Sequence, residues 1–145
     1  MKLSKKDQEL IQVATEVVMQ NSDLYKEKNM HVGAAVRASS GKIYKGINIC
    51  TSHSICAEQV AMGQAFACGE RDLEAMVAVK MNEDGTTRVV SPCGLCRYTF
   101  DKFNDSFDVI VEDVKKGEIL KVDSLELLPY PYKRDVAEIV KKKKK

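Results

Sequence analysis

Two short segments that are apolar on both faces constrain the fold of this chain most strongly. Residues 32–36 read Val-Gly-Ala-Ala-Val, and residues 75–81 read Ala-Met-Val-Ala-Val-Lys-Met. A strand without a polar face is typical of the interior of a sheet that is covered on both sides. The sequence therefore predicts two buried β-strands with helices above and below them.

Other segments have the spacing of those covering helices. Ser4 followed by Asp7 resembles a helix N-cap with an acid in the first turn, and the next two turns repeat apolar residues on one face. Residues 55–68 are apolar nearly all round, which is typical of a buried helix. A further helix is predicted to open at Cys93. The remaining strands are predicted at 43–49, 108–111 and 119–122. The alternation predicts an α/β protein with helices on both faces of a mixed sheet.

Charge and hydropathy narrow the possible partners. The net charge is +2, but five positive charges come from the lysines at 141–145, so the rest of the chain is mildly acidic. Such a body lacks the electrostatic footprint of a nucleic-acid-binding protein. No apolar stretch approaches the ~18 residues that a membrane span needs, and the N-terminus does not read as a signal peptide. We expect a cytoplasmic protein with a frayed lysine tail, with neither membrane nor nucleic acid as a partner.

The cysteines carry the strongest chemical signal. The chain has five, Cys50, Cys56, Cys68, Cys93 and Cys96. An odd number in a chain without an export signal argues against a disulfide framework and favours a metal site or catalysis. The C-x-x-C spacing of Cys93 and Cys96 lets two sulfurs reach one metal from the first turn of a helix.

The triplet Cys56-Ala57-Glu58 adds a thiol and a carboxylate at the start of another helix. Three thiolates would leave a tetrahedral zinc ion with one open position, as hydrolytic sites require. On the first helical turn, the carboxylate of Glu58 can reach a water in that position while Cys56 holds the metal.

Two other interpretations stay open on the residues alone. A structural zinc site would need a fourth protein ligand, for which Cys50 and His53 are the candidates; the protein would then be a non-catalytic, zinc-stabilised module with a basic tail. A dithiol redox function for Cys93 and Cys96 would leave Cys56 and Glu58 unexplained.

The two motifs together resemble the cytidine deaminase superfamily, whose pattern is His or Cys followed by Ala-Glu, and later Pro-Cys-x-x-Cys. The chain has Cys56-Ala57-Glu58 and Pro92-Cys93-Gly94-Leu95-Cys96, and the segments 32–35 and 46–49 agree. The resemblance implies a three-layer α/β/α fold with a mixed, roughly five-stranded sheet. It places a zinc-dependent deaminase domain at 1–132 and a C-terminal extension with a disordered lysine tail at 133–145.

The resemblance also implies the chemistry. Zn²⁺ would be bound by Cys56, Cys93 and Cys96, and a zinc-bound hydroxide would attack the amino-bearing carbon of a cytosine-type base, with Glu58 as the proton shuttle. Backbone N–H groups at Ala57 and Cys93 would orient the ring. The implied assembly is a homotetramer or dimer in which neighbouring subunits complete each site.

Several residues depart from the pattern of cytidine-specific members, in which Asn-x-Glu grips the ribose. The chain has Asn48-Ile49-Cys50 there, Met30 in place of an aromatic residue, and Gln59 in place of an arginine. Arg97 is the candidate substitute that would offset the net charge of −1 on a zinc ion with three thiolates.

These departures resemble the blasticidin S deaminase branch, as does the segment containing Tyr130 and Tyr132, which could form an aromatic lid over a ring in the same or a neighbouring subunit. The implied substrate is a small nucleoside or analogue such as cytidine, deoxycytidine or a blasticidin S-like compound. The expected substrate contacts are Asn48, Ala57, Met30, Ser91, Tyr130 and Tyr132.

Overall fold

A computed structural model describes residues 2–103 and 106–133 of the chain. Helices and short strands alternate along it. In chain order they are α1 (Lys5–Gln20), α2 (Ser22–Lys28), β1 (Val32–Ala38), β2 (Ile43–Ile47), α3 (Ala57–Ala67), β3 (Leu73–Met81), β4 (Thr87–Val90), α4 (Gly94–Phe103), β5 (Asp108–Asp113), β6 (Glu118–Asp123) and a 3₁₀ helix (Ser124–Leu127).

The strands form one mixed sheet in the order β2-β1-β3-β5-β6, with β4 also paired to β3. β1 lies antiparallel along one edge of β3. The other edge of β3 is shared: β5 pairs with it in parallel at Ala75 and Met76, and β4 pairs antiparallel between Ala78 and Met81. The sheet thus has five strand positions, and the sixth segment, β4, was not predicted as a strand.

Two hydrophobic cores lie on opposite faces of this sheet. On one face, Leu10, Ala14 and Val18 of α1 pack against strand residues that include Ala35 and Val77. On the other face, α3 and α4 cover the alternate strand residues. That second core contains Ala57, Ala61, Met62, Ala65, Cys96 and Phe100 from the helices, and Ala34, Val36, Met76, Ala78, Val109 and Val111 from the strands. Because successive strand residues point to opposite faces, the doubly apolar segments fill both cores, and the predicted three-layer α/β/α fold is confirmed.

The N-terminus of α1 has the predicted cap. The Ser4 hydroxyl accepts a hydrogen bond from the N–H of Asp7 at 3.2 Å, and the Asp7 carboxylate accepts one from the N–H of Ser4 at 2.8 Å. α1 ends at Gln20, and the short helix α2 follows directly; α2 buries none of its residues, so no apolar stripe marks it in the sequence.

A close approach at Gly46 joins β2 to the start of α3. A Cβ atom at this glycine would lie 2.4 Å from the carbonyl oxygen of Ala57 and 2.5 Å from the backbone nitrogen of Ala61. Only glycine lets the two backbones come this close. The contact fixes where α3 begins relative to the end of β2.

Within the described ranges, every helix is too short or too polar to cross a membrane.

Candidate active site

The N-termini of α3 and α4 converge on one side of the sheet. Cys56 is the N-cap residue of α3, with an extended backbone, and its side chain makes no capping hydrogen bond. Cys93 immediately precedes α4, and its carbonyl accepts a bond from the N–H of Arg97 at 3.1 Å. The Sγ atoms of Cys56 and Cys93 lie 3.5 Å apart, and with that of Cys96 all three sulfurs lie within 4.8 Å of one another.

This cluster fits a zinc ion. Zn–S bonds of about 2.3 Å in tetrahedral geometry place two sulfurs ~3.8 Å apart, close to the separation of Cys56 and Cys93. In the part of the chain that the structure describes, neither Cys50 nor His53 joins the cluster. Both are exposed, and the amide of Asn29 donates a weak hydrogen bond to the Sγ of Cys50 at 3.9 Å. Three donors match a catalytic zinc site, whereas a structural site would use four.

The three clustered thiols have different surroundings, which shift their pKa values in different directions. Burial, then a hydrogen bond to Cys93, raises the pKa of Cys56 to about 11. Burial and the nearby Glu58 carboxylate raise the pKa of Cys96 strongly. Burial also acts upward on Cys93, but hydrogen bonds from the Cys96 backbone and the neighbouring thiols outweigh it and lower the pKa. A divalent cation must therefore displace protons from this cluster to bind it.

Glu58 lies on the first turn of α3 and is only 6% exposed. Burial raises the pKa of its carboxyl group, although hydrogen bonds from its own N–H and from Cys96 oppose the shift. A carboxyl group with a raised pKa is better suited to accept a proton and then donate it.

A cavity of about 210 Å³ opens beside the cluster. It is lined by Val32, Asn48, Ser54, Ile55, Cys56, Ala57, Glu58, Val90, Ser91 and Cys93. Two of the clustered thiols, the buried carboxyl group of Glu58 and three of the expected substrate contacts (Asn48, Ala57 and Ser91) thus share one space.

Backbone bonds hold two of these polar side chains in place. The Asn48 Oδ1 accepts a hydrogen bond from the N–H of Val32 at 3.0 Å, so the side chain offers its amide NH₂ group to a ligand. The Ser91 hydroxyl donates to the carbonyl of Glu112 and accepts from its N–H, both at 3.1 Å. Ser91 therefore fastens the loop before Cys93 to β5.

A family described as the cytidine and deoxycytidylate deaminase zinc-binding region matches residues 4–111. The chain belongs to this family of zinc-binding deaminases.

Relatives and solved structures of the deaminase family agree with the assignment. The chain is 35% identical to a blasticidin-S deaminase from Bacillus cereus over 140 residues, which cover 92% of the chain and 96% of the relative. It is 36% identical to a cytidine deaminase from Sporosarcina psychrophila, over 72% of the chain and 76% of the relative. The crystal structure of the cytidine deaminase from Bacillus anthracis aligns with a TM-score of 0.69 and 21% identity, over 95% of the chain and 98% of that structure. This last likeness supports the deaminase fold.

Three of the expected substrate contacts lie away from the cavity. Met30 is half-buried and does not line it. Tyr130 is fully exposed and has a positive φ of 51°, and Tyr132 is 76% exposed. Within a single chain, these tyrosines do not cover the cavity.

Arg97 contacts carbonyl groups. Its Nε donates to the carbonyl of Pro92 at 2.8 Å, and its Nη1 to the carbonyl of Leu127 at 3.4 Å. Gln59, in the position of the arginine found in other deaminases, donates from its amide to the hydroxyl of Thr99 at 3.1 Å.

Sequence reasoning missed part of the cavity lining. Val32 and Val90 lie at strand ends that meet only through pairing with β3, so no local pattern marks them. Ser54 and Ile55 directly precede Cys56, and that adjacency was the signal available for them.

Proposed function

We propose that the protein is a zinc-dependent hydrolytic deaminase that acts on a cytosine-type base in a small nucleoside or nucleoside analogue. The observation that carries the proposal is a single cavity lined by two of the three clustered thiols, Cys56 and Cys93, and by the buried carboxyl group of Glu58. The similarity to blasticidin-S and cytidine deaminases supports the substrate class.

The residues divide the chemistry between them. Cys56, Cys93 and Cys96 would hold a zinc ion, which would supply Lewis acidity and lower the pKa of a water toward neutrality. Glu58 would accept one proton from the attacking water and deliver it to the ring nitrogen. It would then transfer the remaining proton of the added hydroxyl group to the leaving amine, so that ammonia departs as the carbonyl forms.

Two backbone N–H groups orient the base, and two side chains support the rest of the site. The N–H groups of Ala57 and Cys93 lie at helix N-termini, where backbone donors lack partners within the helix. Asn48 offers its amide NH₂ to the sugar or its equivalent, and Ser91 keeps the loop before Cys93 in register. Cys50 in place of an acid favours an analogue over plain cytidine.

We further propose that Met30, Tyr130 and Tyr132 contribute to substrate binding in an assembly, as a homotetramer or dimer with shared sites. Support comes from the two exposed tyrosines, and from a second groove between α3 and α4 that is lined by apolar side chains including Phe66 and Phe103.

Free thiols are typical of a reducing compartment, which supports the cytoplasm as the location. Arg97 is proposed to offset the charge of the thiolates. The domain bounds at 1–132 and 133–145 remain a proposal, and the lysine tail lies outside the described residues.

The test is a deamination screen on zinc-loaded protein. Ammonia release is measured with cytidine, deoxycytidine, cytosine, blasticidin S and several aminopurines. Glu58→Gln should keep one zinc per chain and lose activity by about 10³-fold, within the range expected for a general acid–base. Glu83→Gln, in an exposed turn, is the matched control and should match the wild type. Full activity in Glu58→Gln would remove Glu58 from the mechanism, and no ammonia from any substrate would contradict the deaminase assignment.

A further inference from the structure

One face of α4 carries two polar side chains in succession, Arg97 and Asp101. They are four residues apart, so they lie one above the other on the helix surface. Arg97 is half-buried, and Asp101 is 4% exposed. The same helix starts directly after Cys93 and contains Cys96, so whatever holds this face also holds two of the clustered thiols.

Arg97 joins two distant parts of the chain. Its Nε donates to the carbonyl of Pro92, the residue before Cys93, at 2.8 Å. Its Nη1 donates to the carbonyl of Leu127, the last residue of the 3₁₀ helix, at 3.4 Å. One planar guanidinium therefore links the loop of a metal ligand to the C-terminal segment, defined here as residues 127–133.

Asp101 holds the other end of that segment. Its carboxylate accepts a hydrogen bond from the Lys133 ammonium, and the two side chains are only 5% and 12% exposed. A carboxylate buried to this degree is costly unless it is paired with a cation. The ion pair therefore stabilises the docked position of the C-terminal segment on α4.

The chain enters the C-terminal segment from a fixed point. Ser124 is fully buried, and its N–H donates to the carbonyl of Phe107 at 2.8 Å while its hydroxyl accepts from the N–H of Phe107 at 3.2 Å. Arg97 and Asp101 are separated by ~6 Å along the helix axis, whereas the residues from 127 to 133 can span ~20 Å. The excess length forms an outward loop, with fully exposed Tyr130 at positive φ.

We propose that Arg97 and Asp101 are positioning residues that couple the docking of the C-terminal segment to the geometry of the metal site. Arg97 fixes the carbonyl before Cys93 to Leu127, and Asp101 keeps the segment in place through Lys133. The inference rests on the proposed function, because it takes Cys56, Cys93 and Cys96 as zinc ligands. It assigns Arg97 a geometric role that its charge alone would not fulfil.

The planar guanidinium of Arg97 allows its geometric role to be tested separately from the compensation of thiolate charge. A cation that only offsets thiolate charge could be lysine, but lysine cannot donate to two carbonyls with the geometry of arginine. The full-length variants Arg97→Lys, Arg97→Met and Lys133→Met are compared with the wild type. Arg71→Lys is the matched control, since Arg71 also donates to two carbonyls, those of Phe66 and Glu70, at the far end of α3.

Two measurements are made at 25 °C on each folded variant: zinc affinity by chelator competition, and the thiolate charge-transfer and d–d bands of the Co²⁺-substituted protein. Both Arg97 variants should bind zinc about 10-fold more weakly, the loss expected when a partner of a ligand segment is removed, and should shift the Co²⁺ bands. Lys133→Met should change both readouts in the same direction. The double variant of Lys133→Met with Arg97→Met should weaken zinc binding by less than the product of the two single-variant factors, because Arg97 and Lys133 hold the same C-terminal segment. Arg71→Lys should leave both unchanged.

Lys133→Met leaves the Asp101 carboxylate buried beside an apolar side chain. If this variant does not fold, the double variant Asp101→Asn with Lys133→Met replaces it, because it removes both charges. Wild-type zinc affinity and spectrum in Arg97→Lys would show that charge alone suffices and would overturn the proposal. Wild-type values in the Lys133 variants would also overturn it. Failure of the wild type to bind zinc would instead contradict the proposed function.

Discussion

The Sγ atoms of Cys56 and Cys93 lie 3.5 Å apart although 37 positions separate the two residues in the chain. Between them the chain runs through α3, then β3 and β4, and returns to the same side of the sheet. The thiol cluster is therefore a tertiary contact that exists only in the folded protein. A metal bound there favours the folded state over the unfolded one.

Replacing one thiol tests this contact directly. Cys56→Ser should weaken zinc binding by more than about 100-fold, beyond the loss typical of a change outside the ligand shell, because two sulfurs would remain. Chelator competition measures the affinity. Cys68→Ser is the control, since Cys68 is exposed at the end of α3 and outside the cluster, and it should bind zinc like the wild type. A Cys68 variant that loses zinc, or a Cys56 variant that keeps it, would disprove the ligand assignment.

Replacing two glycines near α3 with alanine should change the free energy of unfolding in opposite directions. Gly46→Ala places a methyl group against the backbone of Ala57 and Ala61, and should lower the free energy of unfolding by about 1–3 kcal/mol, the usual cost of overpacking. Gly63→Ala enters open space within the helix and should raise it by about 0.5–1 kcal/mol. Urea unfolding measures both.

Because Gly46 sets the start of α3, Gly46→Ala should also weaken zinc binding, whereas Gly63→Ala should not. Equal zinc affinity in the two variants would mean that the close approach of β2 to α3 does not position Cys56.

An ion pair far from the cavity predicts a pH dependence of stability. Asp7 is fully buried and accepts a bond from the Lys121 ammonium at 3.0 Å. Burial acts upward on the pKa of Asp7, but hydrogen bonds from Ser4 and Lys121 outweigh it, so the pKa lies below its ordinary value of 3.8. A lowered folded pKa contributes stability above the unfolded pKa, and that stability is lost as the pH falls through about 4 toward the folded value.

Asp7→Asn should lower the free energy of unfolding by about 2–3 kcal/mol at pH 7, the range for hydrogen bonds to charged groups. It should also flatten the loss of stability below pH 4. Asp23→Asn, at an exposed position of α2, is the control and should keep the wild-type profile. Parallel slopes for the wild type and Asp7→Asn between pH 4 and pH 2 would contradict this origin of the acid sensitivity.

Asn48 has separable structural and binding roles. Asn48→Asp keeps an oxygen for the N–H of Val32 but removes the amide donor, so stability should change little while KM for the substrate rises. Asn48→Ala removes both, and should in addition cost about 1–3 kcal/mol because the Val32 N–H is left without that acceptor. Thermal unfolding and steady-state kinetics separate the two effects. An unchanged KM in both variants would place Asn48 outside the substrate site.

Predictions from the sequence were confirmed where a short stretch of chain carries its own signal, such as a capping residue or a run of apolar side chains. The cap at Ser4, the buried segments of β1 and β3, and the helix after Cys56 all follow from short-range patterns. β2 was predicted over 43–49 but ends at Ile47, because Asn48 turns its side chain to Val32 and Ile49 pairs with Ile55. That boundary depends on partners distant in sequence.

Among the site residues, too, those with a local signal were predicted and those set by tertiary contacts were not. Spacing and residue type brought the three thiols and Glu58 together in one prediction, and the structure clusters the thiols. The apolar walls at Val32 and Val90 depend on which strands flank β3, and β4 buries only Val89, too little to mark it as a strand. Contacts made by loops and by the C-terminal segment depend on tertiary geometry that periodicity does not encode.

The two cores on opposite faces of the sheet have a consequence for how the protein can change. The residues that line the cavity come from β1, β4, α3 and the segments that follow β2 and precede α3 and α4; α1 contributes none of them. Substitutions in the core beneath α1 can therefore tune thermal tolerance while leaving substrate choice alone. Substitutions beneath α3 and α4 alter thermal tolerance and substrate choice together. The side of the sheet on which a mutation falls therefore predicts whether adaptation to temperature and adaptation to a new substrate will interfere with each other.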